Sequence, residues 1–236
     1  MSDAYMRTPK GLFETILAKI GSLEERLGRT PSTRGATALR DAIFGMPSTD
    51  AARVALANQQ VTWFNTDKGW QESYYATTGL AGLVVPGLIA GHPAGWYPIS
   101  GATLPYGDAL FAADQSVPSG EATLNLNAGR LRGGVTFSAN GLFAPIGGHY
   151  DVRAQAYTWD TPGAGTYRGV SAYVAGVRTA EVNISGRWSM ISPTLRVPVK
   201  AGDKMTAVTS GDSAMWMRQW FGNNALSIAY AGPPLA

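Results

Sequence analysis

The sequence predicts a mainly β protein, with a two-sheet antiparallel β-sandwich in its C-terminal half and a helical segment at its N-terminus. Glycine and proline are frequent, with 29 and 14 of 236 residues. Charged residues make up only 15% of the chain, compared with about 25% in an average soluble protein, while aromatic residues reach 10%. Short segments of alternating apolar and polar residues, separated by turn residues, fill the chain after residue 117.

The composition also excludes several classes of protein. Cysteine is absent, which excludes disulfides, thiolate metal sites and a cysteine nucleophile and is typical of folding in a reducing cytosol. No apolar run approaches 18 residues, so the sequence predicts no transmembrane helix and no membrane insertion. The net charge is +3 and the basic residues are scattered, which favours a mildly basic surface over a nucleic-acid-binding stripe.

The first region, residues 1–60, is predicted to be a helical attachment region. Its first apolar residues have the a and d spacing of a short coiled coil; they are Phe13, Ile16, Ile20, Leu23 and Leu27. Leu12 and Leu17 widen this seam, which favours a three-helix over a two-helix coiled coil. About two heptads are too few to be stable alone, so the helix needs a partner surface. That surface lies either in neighbouring copies or, if the helix is an ordinary amphipathic one, on its own domain.

Two shorter helices are predicted after this seam. Segment 36–44 is closed by Gly45. A second helix covers residues 50–57, where Ser48 or Thr49 is the N-cap and Asp50 interacts favourably with the helix dipole.

The second region, residues 61–117, is predicted to contain a β-hairpin and a strap. The hairpin joins strands 61–64 and 70–75 through the turn 65–69. Residues 79–107 combine many glycines and prolines with large apolar side chains. A solvated linker would expose too much of this apolar surface, so the segment is expected to pack on the protein or on a neighbouring subunit.

The third region, residues 118–236, is predicted to be a head domain of about eight short strands. These strands fit an antiparallel sandwich, with an up-and-down barrel as the alternative. Their apolar residues alternate with polar ones and are expected to face the core: Val135, Phe137 and Ala139; Tyr150, Val152, Ala154 and Ala156; Val170, Ala172 and Val174; Leu195, Val197 and Val199; Leu226, Ile228 and Tyr230.

Three motifs in this region resemble the globular heads of complement and tumour-necrosis-factor-like jelly rolls. Segment 141–152, GLFAPIGGHYDV, resembles a segment of these heads in which a phenylalanine is followed by a turn, by glycine and by a strand with an aromatic residue. Segment 197–204, VPVKAGDK, resembles their strand, glycine-aspartate, strand signature, and segments 220–222 and 226–228 resemble the closing strand. The resemblance covers the C-terminal half only, and it implies a jelly-roll head that trimerises side by side.

The N-terminal half carries a second resemblance. Segments 23–35, 40–45, 63–65 and 95–98 are similar to proteins of tailed bacteriophages of actinobacterial hosts that are usually labelled minor tail proteins. This resemblance implies a virion structural protein, assembled in the host cytoplasm, with a distal head domain.

Motifs for catalysis and metal binding are missing from the sequence. The two histidines, His92 and His149, lie far apart, and no cysteine can complete a zinc site. There is no Gly-x-Ser-x-Gly elbow, and the acidic residues do not cluster as a calcium site requires. We therefore expect a protein that is not an enzyme and has no catalytic residue, no metal and no cofactor.

One aromatic run, residues 215–221, is a candidate ligand surface. Trp216, Arg218 and Trp220 suit stacking on a sugar or gripping a partner protein. The alternative is that alternate members of the run fill the core.

Strand parity predicts a second surface, for assembly. If Tyr150 and Ala156 face the core, Tyr157 and Trp159 face outward, and the same argument turns Tyr173 outward. Aromatic residues are enriched in the buried centres of interfaces, so these three rings are predicted to form a homotrimer contact. A β-bulge that shifts the register would return them to the core.

The expected function is therefore structural. The chain is predicted to be a trimeric minor tail or fibre-type protein of a virion, anchored to other virion proteins by its N-terminal region, with a host-surface glycan as a further possible partner. Two alternatives are a capsid decoration or head-fibre protein and a tail-tip enzyme that degrades glycans.

Overall fold

The computed structural model describes residues 32–158, 167–184, 188–219 and 224–236. The predicted apolar seam lies outside these ranges, as do Trp159 and Trp220; the seam residues are Phe13, Ile16, Ile20, Leu23 and Leu27. Over the described ranges the chain is mainly β, with two short helices and several sheets that are largely antiparallel, and this confirms the predicted class.

A four-stranded sheet and two helices form the N-terminal unit. The chain runs through β1 (Ser32–Gly35), α1 (Thr37–Phe44), α2 (Asp50–Asn58), β2 (Thr62–Asn65), β3 (Trp70–Tyr75) and β4 (Gly95–Gly101). The strands lie in this order, with β1 parallel to β2 and the other neighbours antiparallel. The predicted hairpin is confirmed, since Asn65 pairs with Trp70 and Thr62 with Ser73.

Both predicted helices have clear ends. Helix α1 stops at Gly45, whose φ of 71° suits glycine and whose N–H donates to the carbonyl of Asp41. Helix α2 begins after Thr49, whose hydroxyl accepts from the N–H of Ala52 at 3.3 Å. Thr49, not Ser48, is thus the N-cap.

A strap without regular strands, residues 76–94, connects β3 to β4. Leu88 is fully buried in its middle and forms isolated bridges with Thr77 and Leu235. The sequence predicts a strap over residues 79–107. Its part up to residue 94 packs on the protein, since Leu88 meets Leu235, but residues 95–101 and the last residues of the range form β4 and the start of β5 instead.

The rest of the described chain is a β-sandwich. Its strands are β5 (Tyr106–Phe111), β6 (Gln115–Val117), β7 (Gly120–Thr123), β8 (Leu126–Arg132), β9 (Thr136–Ser138), β10 (Gly141–Phe143), β11 (Gly148–Thr158), β12 (Arg168–Val174), β13 (Val177–Ile184), β14 (Trp188–Ile191), β15 (Leu195–Val199), β16 (Lys204–Gly211), β17 (Met215–Met217) and β18 (Asn224–Gly232).

These strands form two sheets. The eight-stranded sheet has the order β6-β17-β11-β18-β5-β8, with β14 and β15 paired to β11 as well. The six-stranded sheet has the order β13-β12-β16-β10-β9, with β7 also paired to β16. Strand β5 lies before residue 118, where the sequence pattern places the start of the head, so the sandwich takes strands from both predicted regions.

The core lies between the two sheets, and strand parity predicts much of it correctly. The inner residues of β11, from Tyr150 to Ala156, are fully buried, as are Val170 and Ala172 of β12. Tyr150 meets Tyr230 edge to face, with 5.3 Å between the ring centroids. Leu195 and Ala139 are exceptions. Leu195 lies on an edge strand and stays 37% exposed, and Ala139 is exposed in the turn after β9 with a φ of 45°.

Candidate functional site

The outer face of the eight-stranded sheet carries part of the predicted ligand surface. On β17, Met215 pairs with Val117 and Met217 pairs with Thr158, and both methionines are buried. Side chains alternate along a strand, so Trp216 between them faces outward and is 41% exposed. The methionines of this run fill the core, while Trp216 does not.

Tyr157 of β11 lies beside the end of β17 but is not exposed. The Arg218 N–H donates to the Tyr157 carbonyl at 3.0 Å, which joins the end of β17 to β11. The Tyr157 side chain is only 8% exposed, so the prediction of an exposed ring at this position is wrong for the single chain. Parity indicates which way a side chain leaves the strand, but it carries no information about what the rest of the chain places over it.

An apolar residue that sequence reasoning missed completes the surface. Ile191 of β14 pairs with Gln155 of β11 and is 46% exposed. Paired residues in an antiparallel sheet point to the same side, so Ile191 shares the outer face. We call Tyr157, Ile191, Trp216 and Arg218 the aromatic patch.

Polar contacts hold the rim of the aromatic patch. The Arg218 Nε lies 3.8 Å from the Asp114 Oδ2. The neighbouring Gln219 donates from its N–H to the Asp114 Oδ1 at 2.7 Å and from its amide to the Phe111 carbonyl at 3.1 Å. These contacts fix the chain just after Trp216 to the end of β5 and to the loop that follows it.

Tyr173 lies on the other sheet, so the three rings predicted as one trimer contact do not form a single surface. Tyr173 belongs to β12 of the six-stranded sheet. Its hydroxyl donates to the Glu121 carboxylate at 2.9 Å and accepts from the Arg178 Nε at 3.1 Å. The Arg178 guanidinium also lies 5.7 Å from the ring centroid. Partial burial and, to a smaller extent, the charge of Glu181 raise the pKa of Tyr173. The ring is thus part of a polar cluster within the chain.

A charged cluster lies on β5 and β8, at the opposite edge of the eight-stranded sheet. The sequence analysis does not predict it. The buried carboxylate of Asp108 accepts from the Arg130 N–H at 2.6 Å, the Arg130 Nε at 3.2 Å and the Tyr106 hydroxyl at 3.0 Å. Arg132 lies 4.9 Å from the centroid of the Tyr106 ring. The pKa of Tyr106 is raised, chiefly by burial and then by its hydrogen bond to Asp108. The cluster depends on the bulged register between β5 and β8, and no local sequence motif predicts that register.

Histidines do not form a metal centre in the part of the chain that the structure describes. No group of three histidine or acidic side chains is placed there to hold a metal ion. His92 is 4% exposed, and its Nδ1 has no hydrogen-bond partner among the described residues. Burial first, and then the charges of Lys200 and His149, lower its pKa. His92 therefore favours its neutral form where the strap meets the sandwich.

Neither a model of a known protein family nor a curated protein matches this chain. Neither helix in the described ranges has the length and apolar character needed to cross a membrane. The arrangement of the sheets and their surfaces is therefore the basis for a functional assignment.

Proposed function

We propose that the chain is a non-enzymatic structural protein of a bacteriophage particle, a trimeric minor tail or fibre-type protein. In this proposal the N-terminal region attaches to other virion proteins, and the sandwich is a jelly-roll head that faces away from the particle. The observation that carries the proposal is the strand pairing of the sandwich, taken together with the resemblances in the sequence.

The pairing of eight strands supports a jelly roll. Strand β5 pairs with β18, β10 with β16, β11 with β15 and β12 with β13, all antiparallel. Early strands thus pair with late strands in nested order, as in one long hairpin rolled up into two sheets. Such rolled hairpins with two Greek keys define the jelly-roll architecture of viral capsid and lectin domains.

Contacts between the N-terminal unit and the sandwich support a mechanical role. The Ile89 N–H donates to the Pro234 carbonyl at 2.8 Å, and the Ala236 N–H donates to the Gly87 carbonyl at 3.1 Å. The buried hydroxyl of Tyr230 donates to the Pro98 carbonyl at 3.1 Å. These hydrogen bonds join the strap and β4 to the C-terminal residues of the sandwich and would transmit force from an attachment site to the head.

The aromatic patch supports a trimer contact. Trp216 and Ile191 are large apolar side chains exposed on one sheet face. Exposed apolar groups of this kind, with a polar rim, are typical of interaction surfaces. We therefore assign the side-by-side contact of the proposed trimer to this face rather than to Tyr173.

The trimer is tested by measuring the mass of the purified full chain in solution by light scattering. We expect three times the mass of one chain, and a monomer for the double variant Ile191→Ser, Trp216→Ser with unchanged far-ultraviolet dichroism. The matched control is Val177→Ser, which changes an exposed apolar residue on the other sheet. A monomeric unmodified chain contradicts the trimer, and a trimeric double variant contradicts the assigned face.

The virion role is tested on purified particles of a phage that carries this sequence. We expect a few copies per particle by quantitative mass spectrometry, with gold-labelled antibody bound to the tail. Hundreds of copies on the capsid would show a decoration protein instead, and a complete absence from particles would contradict a structural role.

A further inference from the structure

An apolar groove lies between the two helices of the N-terminal unit. Its volume is about 370 Å³. Ile43 at the end of α1 and the loop segment Met46–Pro47 line one side, and Ala52, Ala55 and Gln59 of α2 line the other. Gln59 is the one lining residue with a polar side chain. The groove therefore suits an apolar occupant.

Helix α1 continues the groove with an exposed apolar face. Leu39, Ala42 and Ile43 lie at positions i, i+3 and i+4, so they share one face of the helix. Leu39 is 43% exposed, and Met46, just past the end of the helix, is 74% exposed. Contiguous exposed apolar groups of this kind are typical of a surface that another segment covers.

The described part of the chain begins beside this groove. Ser32 pairs with Thr62, which follows Gln59 by three residues. Neighbouring strands lie about 4.8 Å apart and three extended residues cover at most about 11 Å, so Ser32 lies within about 16 Å of Gln59. At the other end of β1, a Cβ on Gly35 would lie 2.8 Å from the Leu39 Cδ2. Both ends of β1 thus border the apolar surface.

The sequence before β1 carries apolar residues whose spacing matches this surface. Ile20, Leu23 and Leu27 lie at positions i, i+3 and i+7, which span about 10 Å in a helix. The apolar stretch Leu39–Met46 covers the same number of positions. The five steps from Leu27 to Ser32 extend up to about 18 Å. This reach exceeds the distance of about 16 Å between Ser32 and the end of the groove.

We infer that the segment ending at Leu27 is an amphipathic helix that packs Ile20, Leu23 and Leu27 into the α1–α2 groove of its own chain. Docking covers the exposed Leu39 and Met46 and supplies the partner surface that so short a helix needs. The short connection to Ser32 keeps the segment at a high effective concentration near its own groove, which favours that groove over the one of a neighbouring copy.

The inference goes beyond the proposed function and does not rest on it, because the groove and the segment belong to one chain. Attachment to other virion proteins would use other residues of region 1–60. A failure of the docking test therefore leaves the test on particles unaffected.

Cross-linking of the full chain tests the docking, because the protein has no cysteine of its own. Ala55→Cys is combined in turn with Ile20→Cys, Leu23→Cys and Leu27→Cys, and each double variant is treated with a short bismaleimide. We expect at least one of the three to form a cross-link within the chain, identified by gel mobility and peptide mass spectrometry. Glu25→Cys with Ala55→Cys is the matched control on the opposite face of the predicted helix, and its yield should be at least about fivefold lower.

A charge on the groove separates apolar docking from mere proximity. Met46→Asp, added to the double variant that cross-links best, should lower the yield at least about threefold, because the charge loses water when the segment docks. Val177→Asp makes the same type of change at an exposed apolar residue of the six-stranded sheet and should leave the yield unchanged. Far-ultraviolet dichroism and the melting temperature report whether each variant folds.

Four outcomes overturn the inference. They are no cross-link in any of the three variants, an equal yield for the Glu25→Cys control, a yield that Met46→Asp does not lower, and covalent dimers or trimers in place of the product within one chain. The last outcome would place the segment in the groove of a neighbouring copy.

Discussion

A buried carboxylate organises the N-terminal unit at the scale of single residues. Glu72 is almost fully buried in β3 and accepts from Arg40, from the Asn65 amide at 2.9 Å and from the Trp70 N–H at 3.3 Å. Arg40 is itself buried and lies 5.0 Å from the centroid of the Trp96 ring. The pair therefore joins helix α1 to the sheet beneath it.

Glu72→Gln should destabilise the protein strongly. The substitution leaves the buried Arg40 with Asp41 as its remaining carboxylate partner among the described residues, 2.7 Å from Nη2. Loss of the charged hydrogen bond to Glu72 should therefore cost about 1.5–3 kcal/mol of unfolding free energy. The control Asp50→Asn removes a carboxylate whose pair with Arg53 is exposed, and should cost at most about 1 kcal/mol. Urea unfolding measures both, and equal losses would show that the Glu72 network contributes no more than a surface pair.

His92 should make stability depend on pH. Its folded-state pKa is lowered by burial, then by Lys200 and His149, and is raised only by Asp203, the smallest effect. The unfolded chain, with an ordinary histidine pKa of about 6.5, therefore binds the proton more readily than the folded chain. The contribution of His92 is present above about pH 6.5 and is lost as the pH falls through the folded-state pKa.

The pH effect is measured as the difference in unfolding free energy between the unmodified chain and His92→Asn from pH 7.5 to 5. We expect this difference to shrink or reverse on acidification, because the variant has no group to protonate. His149→Asn is the comparison variant: it removes a smaller cause of the lowered His92 pKa and leaves burial, the largest cause, so it should retain most of the loss of stability at low pH. A difference that is constant over the range would contradict the assignment.

At the scale of elements, helix α2 depends on one side chain for its start. Thr49→Ala removes the hydroxyl that accepts from the Ala52 N–H and should cost about 1 kcal/mol of unfolding free energy. Ser48→Ala, one residue earlier, should change stability by less than about 0.5 kcal/mol. The two substitutions are compared by urea unfolding, and a larger effect at Ser48 would move the cap.

The two strands that flank β11, β18 and β15, differ in how much they stabilise the sandwich. Leu226 of the central strand β18 is fully buried, while Leu195 of the edge strand β15 is partly exposed. Leu226→Ala should cost about 2–5 kcal/mol because it leaves a cavity, and Leu195→Ala only about 1 kcal/mol because its surroundings are already hydrated. Similar losses in thermal unfolding would mean that Leu195 is covered in solution, as in an assembly.

At the scale of the whole molecule, the last residues of the chain hold the strap. Deleting residues 234–236 removes the backbone bonds from Ile89 and Ala236 and the bridge between Leu88 and Leu235. The strap should then open locally, and limited proteolysis within residues 79–94 should become at least tenfold faster. Leu235→Ala keeps the backbone bonds and should accelerate cleavage much less. Unchanged cleavage after the deletion would show that the strap is held by other contacts.

Much of the secondary structure could be predicted because its signals are local. Periodicity located the inner faces of β11, β12 and β18, and turn residues located the hairpin of β2 and β3. Alternation alone does not predict β13 or β16, since segments such as Lys204–Gly211 use small and polar residues that lack a clear apolar alternation. These residues are buried because of their position in the six-stranded sheet. Only the resemblance of segment 197–204 to the jelly-roll signature implies a strand after Asp203.

The candidate surfaces could be predicted only in part. Trp216, predicted as part of a ligand surface, lies on the outer face, whereas Tyr157 is covered, Ile191 is absent from the sequence predictions and Tyr173 lies on the other sheet. Each of these outcomes depends on which strands are neighbours, and neighbours here are distant in the chain. Gln219, for example, donates to Asp114, a partner 105 residues away.

The sequence by itself determined the mainly β class, the places of the two helices and the facing of the regular strands, because these follow from turn chemistry and from repeats of 2 and 3.6 residues. Only the tertiary structure decided the nested strand pairing and the buried carboxylates of Glu72 and Asp108. The physical reason is that such features need groups from separate segments to meet at hydrogen-bond distance. That distance is set by sheet register and close packing, which no local pattern contains.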